Sequence, residues 1–437
     1  MKLIFITIFS YFVVINFYLF SAVDNKKISL GIDVLESDGF TALKGKRVGL
    51  ITNQTGVNSN GLKTRTILFN SEHVNLVSLF TPEHGLDGDE LAGKWVSSRV
   101  DSLTGLKAFS LYGKTRKPDP VMLNGIDVLV FDIQDVGVRC YTYISTMILC
   151  MEAAAEKGID FIVLDRPNPV TGNYIEGPPI IKKWQSFVGQ LSIPFRHGLT
   201  VGEIAKMAIG ENWLKANPKL KVIKMKGWSR VMDWNDTGLN WIQTSPNIPR
   251  AESCYYYLLS CIPQHVKGVY AGTGGSFPFE HISTSGVSSD ELVDQLDAIS
   301  IHGLKYKPYK DEKYPMRGGI KLIIDDNYKG ELVKTGLIIL KEILDQAEKK
   351  DVELISSKKG SSNNLLYKVY GSDFIGNNNF RKLEIGKIIK ITKLSFYVVQ
   401  TLKFQILFPY LNIRYLLTYF NFFAINTAFI DSSYYFE

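Results

Sequence analysis

Residues 74–88, VNLVSLFTPEHGLDG, decide how this chain folds. Residues 74–80 are a short apolar run, rich in β-formers and bounded by polar residues, which is the pattern of a buried strand. Pro82 lacks an N–H and fixes its own φ, while Gly85 and Gly88 let the chain turn sharply, so pairing stops here and a rigid loop begins. The strand therefore delivers Glu83 and His84 at its C-terminal end, a carboxylate and an imidazole suited to acid/base work.

Three other segments share this design. Residues 47–52 (RVGLIT) run into Asn53-Gln54-Thr55-Gly56, and residues 126–131 (IDVLVF) run into Asp132, Gln134 and Asp135. Residues 161–164 (FIVL) run into Asp165-Arg166-Pro167-Asn168-Pro169. Helix-like segments at residues 62–70 and 141–157 lie between them, so the order is a repeated β-α-β, which makes the strands parallel. All four polar clusters then emerge on one rim of one sheet, where open α/β sheets bind ligands.

The whole chain reads as an α/β protein, a Rossmann-like mostly parallel sheet domain at residues 28–218 followed by a smaller α+β domain at residues 219–385 that closes the cleft. At 437 residues with 45% hydrophobic content, it is long enough for two such cores. Residues 1–22 carry Lys2 and then an uncharged apolar run, the pattern of a secretory signal peptide or an N-terminal anchor, which implies a secreted or periplasmic protein. Residues 386–437 form an atypical apolar and aromatic tail, so the two ends are the segments through which a membrane could be touched. The net charge of +7 is dispersed rather than striped, which argues against nucleic acid as a partner. Four scattered cysteines form neither a disulfide framework nor a C-x-x-C zinc pair. The loop at residues 53–61 lacks the glycine spacing of a nucleotide site, and no cofactor or metal is called for.

In the third cluster, Arg139, Tyr141 and Tyr143 alternate and fall on one side if the segment is extended. Their chemistry suits the face and hydroxyls of a sugar, with Arg139 balancing Asp132 and Asp135; packing of the tyrosines on the following helix is the alternative. In the fourth, two prolines leave Arg166 and Asn168 presented, unless Asp165 and Arg166 merely pair with each other. Further on, Thr200 and Glu203 have the spacing of a capping box, and His197 just before them faces the site or fills a gap. A strand at residues 221–225 opens the second domain, whose loop at residues 272–275 and strand at residues 318–324 supply turns and edges.

These motifs resemble the NamZ/YbbC-like family of exo-β-N-acetylmuramidases. The resemblance runs through GKRVGLITNQTG (45–56), TPEHGLDG (81–88), SLYGKTRKP (110–118), VFDIQDVGVRCYTYI (130–144), VLDRPNP (163–169) and HGLTVGEIA (197–205), in that order. It implies a Rossmann-like first domain and hydrolysis of a terminal β-linked N-acetylmuramic acid from the non-reducing end of peptidoglycan fragments, with Glu83 as the catalytic carboxylate. Asp87 departs from the family's pattern, which has a basic residue there, and residues 270–280 look shorter than the common form.

Glycoside hydrolysis uses one protonated carboxyl and a second group that is a nucleophile or activates water. Glu83 is the expected general acid, with His84, Asp132 and Asp135 as the other catalytic candidates. Asn53, Gln54, Gln134, Arg139, Tyr141, Tyr143, Asp165, Arg166, Asn168 and His197 are the candidate substrate contacts, Arg139 or Arg166 pairing with the lactyl carboxylate. The alternatives are a secreted glycan-binding protein without turnover and a metal-dependent hydrolase built on His84, Asp132, Asp135 and His197.

Overall fold

The computed structural model describes residues 27–380, apart from residues 326, 327, 329, 349, 353–364 and 377–379. The expected leader at residues 1–22 and the tail at residues 386–437 lie outside the described residues.

Seven strands form the main sheet: β1 (Arg47–Thr52), β2 (Asn75–Thr81), β3 (Arg99–Val100), β4 (Lys107–Ser110), β5 (Val128–Asp132), β6 (Asp160–Leu164) and β7 (Leu220–Ile223). Their spatial order is β3-β4-β2-β1-β5-β6-β7, and all neighbours are parallel except β3, a two-residue edge strand antiparallel to β4. Leaving β3 aside, the parallel strands follow the Rossmann order, third-second-first-fourth-fifth-sixth, with its reversal between β1 and β5. In register, Thr52 lies beside Asp132 and Ile51 beside Phe80, so the loops after β1, β2, β5 and β6 leave from one rim.

Strand alternation sends Ile51, Phe80, Phe131 and Val163 to one face and Leu50, Leu79, Val130 and Leu164 to the other. Helices α1 (Gly31–Ser37) and α2 (Thr64–Asn70) place Ile32, Leu35 and Leu68 against the second face. Helices α3 (Tyr143–Lys157) and α4 (Val201–Gly210) place Met147, Met151, Ile204 and Ala205 against the first. Burial on both faces explains why these strands are almost uninterrupted apolar runs. The start of α4 is the capping box read from the sequence: Thr200 Oγ1 accepts from Glu203 N at 3.2 Å, and Thr200 N donates to Glu203 Oε2 at 3.0 Å.

The smaller unit contains α5 (Ser253–Gln264), β8 (His281–Ser285), α6 (Ser289–Ile299), β9 (Leu304–Lys310), β10 (Arg317–Ile324) and α7 (Leu332–Gln346). Its three strands form an antiparallel sheet in the order β8-β10-β9. Helix α7 lies close against α5 at Gly336, where a Cβ would stand 2.1 Å from the Leu259 carbonyl oxygen. One apolar core runs on from α3 and α4 into α5 and α7. The strand that the sequence assigns to the start of the second domain is β7, and it pairs in parallel with β6 instead. The main sheet therefore extends past residue 219. Sequence change and sheet boundary differ here because an edge strand with one neighbour needs few apolar residues, and β7 buries only Ile223 fully. Among the described residues, no helix is long and apolar enough to cross a membrane.

Candidate active site

After β2 the chain makes a tight turn closed by Gly85 N donating to the Pro82 carbonyl at 3.2 Å, with His84 at φ 71°. A left-handed residue other than glycine is uncommon and costs about 1 kcal/mol. The conformation breaks the in-out alternation of the strand, so that Glu83 and His84 both reach one strap, residues 90–93. Glu83 Oε1 accepts from Gly93 N at 2.8 Å, and His84 Nδ1 lies 2.7 Å from the Glu90 carbonyl. A carbonyl only accepts, so Nδ1 of His84 carries a proton and donates it there.

The other oxygen of Glu83, Oε2, accepts from Thr142 Oγ1 at 2.7 Å. Thr142 is the N-cap residue of α3, yet its hydroxyl makes no cap bond to its own helix. A cap bond contributes about 1 kcal/mol, so the helix forgoes local stability to place a hydroxyl on Glu83. The half-buried Tyr112 also hydrogen-bonds with this carboxylate: its hydroxyl is pushed up to about 12, by burial first and then by the charge of Glu83 and the bond to it, with Arg116 pulling the other way. Glu83 itself is buried, with 9% of its surface left exposed. The sequence singles out Glu83 and His84 as candidates but gives no notice of Thr142, Gly93 and Tyr112, which the structure places beside Glu83. No sequence signal marks Thr142, which lies inside the helix-like run read at residues 141–157; the helix itself starts at Tyr143.

Asp132 and Arg166 are a different kind of centre. Arg166 donates Nε to Asp132 Oδ1 at 2.6 Å and Nη2 to Oδ2 at 2.9 Å, and Thr64 Oγ1 donates to Oδ2 at 2.5 Å. Arg166 Nη2 also reaches the Val57 carbonyl at 2.7 Å. Asp132 is fully buried with both oxygens occupied, and with Arg166 it clamps together the loops after β1 and β6. Arg166 pairs with this aspartate, not with Asp165. Asp165 instead holds the start of α4, accepting from Gly202 N at 2.9 Å and Thr200 Oγ1 at 3.0 Å. Burial pushes its carboxyl up to about 6 against those bonds.

Arg139 is turned away from the aspartates. Its guanidinium donates to four backbone carbonyls, those of Pro178, Ile193, Val369 and Tyr370, at 2.6–2.9 Å. Burial pulls it down to about 10. The expected alternation fails because the chain is not extended there: Tyr141 N bonds back to the Val138 carbonyl at 2.9 Å, and α3 begins two residues later. Tyr141 and Tyr143 pack edge to face on each other at 4.9 Å, with hydroxyls committed to Thr244 Oγ1 and the Thr244 carbonyl. They form a buried wall between the rim and the segment that leads into α5.

The remaining candidates mostly lace the loops together. Asn53 Oδ1 accepts from Thr55 N at 2.9 Å, and Gln54 Nε2 donates to the carbonyls of Gln243 and Thr244 at 2.8 and 3.0 Å. Gln134 Nε2 donates to the carbonyls of Asp135 and Pro167, both at 2.8 Å, and Asn168 Nδ2 to that of Leu199 at 3.0 Å. His197 Nδ1 accepts from Leu199 N at 3.1 Å, so its proton is on Nε2, 3.5 Å from Asp135 Oδ2. Asp135 Oδ1 has no hydrogen-bond partner among the described residues. At the strand-order reversal, a crevice is lined by Thr55, Asn58, Gln134, Arg166, Trp234 and Ile242; Glu83 is not part of its wall. Asp87, the acidic departure in the loop, is met by Arg65 at 2.8 Å, by Arg99 and by Lys63 at 3.6 Å. Burial raises its carboxyl, but the two arginines outweigh that and bring it to about 2. Among the described residues, no three His, Cys, Asp or Glu side chains come together as a metal ion would require.

Fold and site together define a Rossmann-like α/β protein with a carboxylate held by one backbone N–H and two hydroxyls at the sheet's rim. Residues 48–252 match the family model for the N-terminal region of the exo-β-N-acetylmuramidase NamZ. The chain is 44% identical over 325 residues to the peptidoglycan β-N-acetylmuramidase NamZ of Bacillus subtilis (strain 168), covering 73% of this chain and 78% of that one. Two crystal structures of DUF1343 family proteins from Bacteroides fragilis NCTC 9343 share the fold. One is 38% identical with a TM-score of 0.77, covering 86% of this chain and 97% of its own. The other is 26% identical with a TM-score of 0.64, covering 88% and 99%. The chain belongs to the NamZ family of exo-β-N-acetylmuramidases.

Proposed function

We propose that this protein is a glycoside hydrolase that releases terminal β-linked N-acetylmuramic acid from the non-reducing end of peptidoglycan fragments, with Glu83 as the general acid. Family membership supports the reaction. The observation that carries the role of Glu83 is its setting: it is held at the rim by one fixed donor, Gly93 N, and by two hydroxyls, Thr142 Oγ1 and that of Tyr112. A hydroxyl both donates and accepts, so Thr142 serves the protonated and the ionised carboxyl alike. Glu83 can thus give its proton to the leaving oxygen and take one back. His84 orients the incoming water or a sugar hydroxyl, while Asp132 and Arg166 hold the neighbouring loops in register. Export through residues 1–22 accords with a cell-wall substrate.

The test uses a chromogenic β-N-acetylmuramide and its N-acetylglucosaminide counterpart, each with the wild type and with Glu83→Gln. Release from the muramide, lost in the variant, is the expected result. Cleavage of neither sugar by folded wild-type protein rejects the reaction.

A further inference from the structure

Recognition of muramic acid over its lactyl-free counterpart requires a receptor for one extra carboxylate, and the charge pairing of the described residues leaves one arginine open to serve. Arg47, Arg65, Arg99, Arg166, Arg196, Arg230, Arg250 and Arg317 all have carboxylate partners. Arg139 has none among the described residues, but its donors are spent on four buried carbonyls. Arg116 alone among them is exposed with no carboxylate partner.

Arg116 is nevertheless held in place. Its guanidinium carbon lies 4.1 Å from the centroid of the Phe187 ring and 5.1 Å from that of Tyr112, two rings that pack together at 5.9 Å. The residues on either side are pinned by a local turn in which Thr115 Oγ1 donates to the Lys117 carbonyl at 2.6 Å and accepts from Lys117 N at 3.2 Å. Tyr112 is the link to the site: Arg116 lies over its ring, and its hydroxyl hydrogen-bonds with Glu83. A guanidinium braced by aromatic faces keeps its edge free for the bidentate grip that suits a carboxylate.

Resting on the exo-muramidase reading, we propose that Arg116, braced by Tyr112 and Phe187, binds the lactyl carboxylate and sets the preference for N-acetylmuramic acid. Arg139 and Arg166, the arginines the sequence suggests for this role, serve the fold instead.

Calorimetric titration of the full chain with N-acetylmuramic acid, its lactyl methyl ester and N-acetylglucosamine tests this without requiring turnover. Wild-type protein should bind the acid about 10- to 100-fold more tightly than the ester, the range of a charge-assisted hydrogen bond. Arg116→Gln should lose that factor on the acid and change nothing on the ester, while Arg116→Lys recovers part of it; near-ultraviolet circular dichroism checks the fold. Acid binding unchanged in Arg116→Gln, or acid and ester weakened together, overturns the assignment. So does wild-type protein that binds none of the three ligands. Preference for the acid with no hydrolysis of any muramide would reject the proposed reaction and leave the assignment of Arg116 standing. Hydrolysis with equal binding of acid and ester would reject Arg116 alone.

Discussion

Glu83 and Asp132 stand at the ends of two strands on the same rim, with only β1 between them, yet their surroundings differ. Asp132 is fully buried, and three side-chain donors from Arg166 and Thr64 fill both its oxygens. Glu83 is buried but not sealed, held by one backbone N–H, by the Tyr112 hydroxyl and by a threonine hydroxyl taken from a helix that could have used it as a cap. The contrast separates the work of the two carboxylates. A saturated buried pair fixes loops in place, whereas in the proposed reaction Glu83 is the carboxylate that exchanges a proton. Removing either group should therefore be felt in different measurements.

The largest expected effect is on folding. Arg166→Met leaves Asp132 buried without its counter-ion and should cost about 3–5 kcal/mol of stability, read from the midpoint of urea unfolding. An unchanged midpoint would mean that the Asp132 clamp is not the anchor described here. Thr142→Val should do the reverse. Its hydroxyl serves Glu83 and not the helix, so we expect muramide hydrolysis to fall about tenfold or more while stability changes by less than about 1 kcal/mol. Should stability fall as far as in Arg166→Met, the division between the two carboxylates would disappear.

The smallest effect concerns Asp165, whose carboxyl burial raises to about 6 in the folded protein, above its unfolded value. A raised folded pKa means that the folded state holds the proton more tightly. The associated stability is therefore full below about pH 4 and is lost as the pH rises through about 6. Compared with Asp165→Asn, wild-type protein should lose on the order of 1 kcal/mol of relative stability between pH 4 and pH 7, measured by paired unfolding curves. Parallel pH profiles for the two proteins would contradict the assignment of Asp165 as a strained helix anchor.

Much of this was legible in the sequence, for reasons that differ from residue to residue. The strands ending at Thr52, Thr81, Asp132 and Leu164 could be read because buried parallel strands must be apolar throughout, and their loops had to share a rim. The Thr200–Glu203 cap could be read because it is a contact across three residues. Arg139 and Thr142 could not. Three residues apart, they lie in a segment read as an extended alternation of Arg139, Tyr141 and Tyr143, which a turn at Val138 to Tyr141 abolishes. The carbonyls that hold Arg139 come from as far away as Val369 and Tyr370, and no local pattern encodes them. Strand β7 escaped for a related reason: an edge strand with a single neighbour carries too little apolar sequence to declare its sheet.

The most direct test of the central claim is the dependence of the Glu83→Gln defect on the leaving group. A general acid matters most when the departing oxygen is a poor leaving group. Glu83→Gln should therefore slow cleavage of a muramic acid–glucosamine disaccharide by about 10²- to 10⁴-fold, and cleavage of a muramide with a strongly acidic phenol far less. An equal loss on both substrates, or no loss on the disaccharide, would contradict Glu83 as the proton donor.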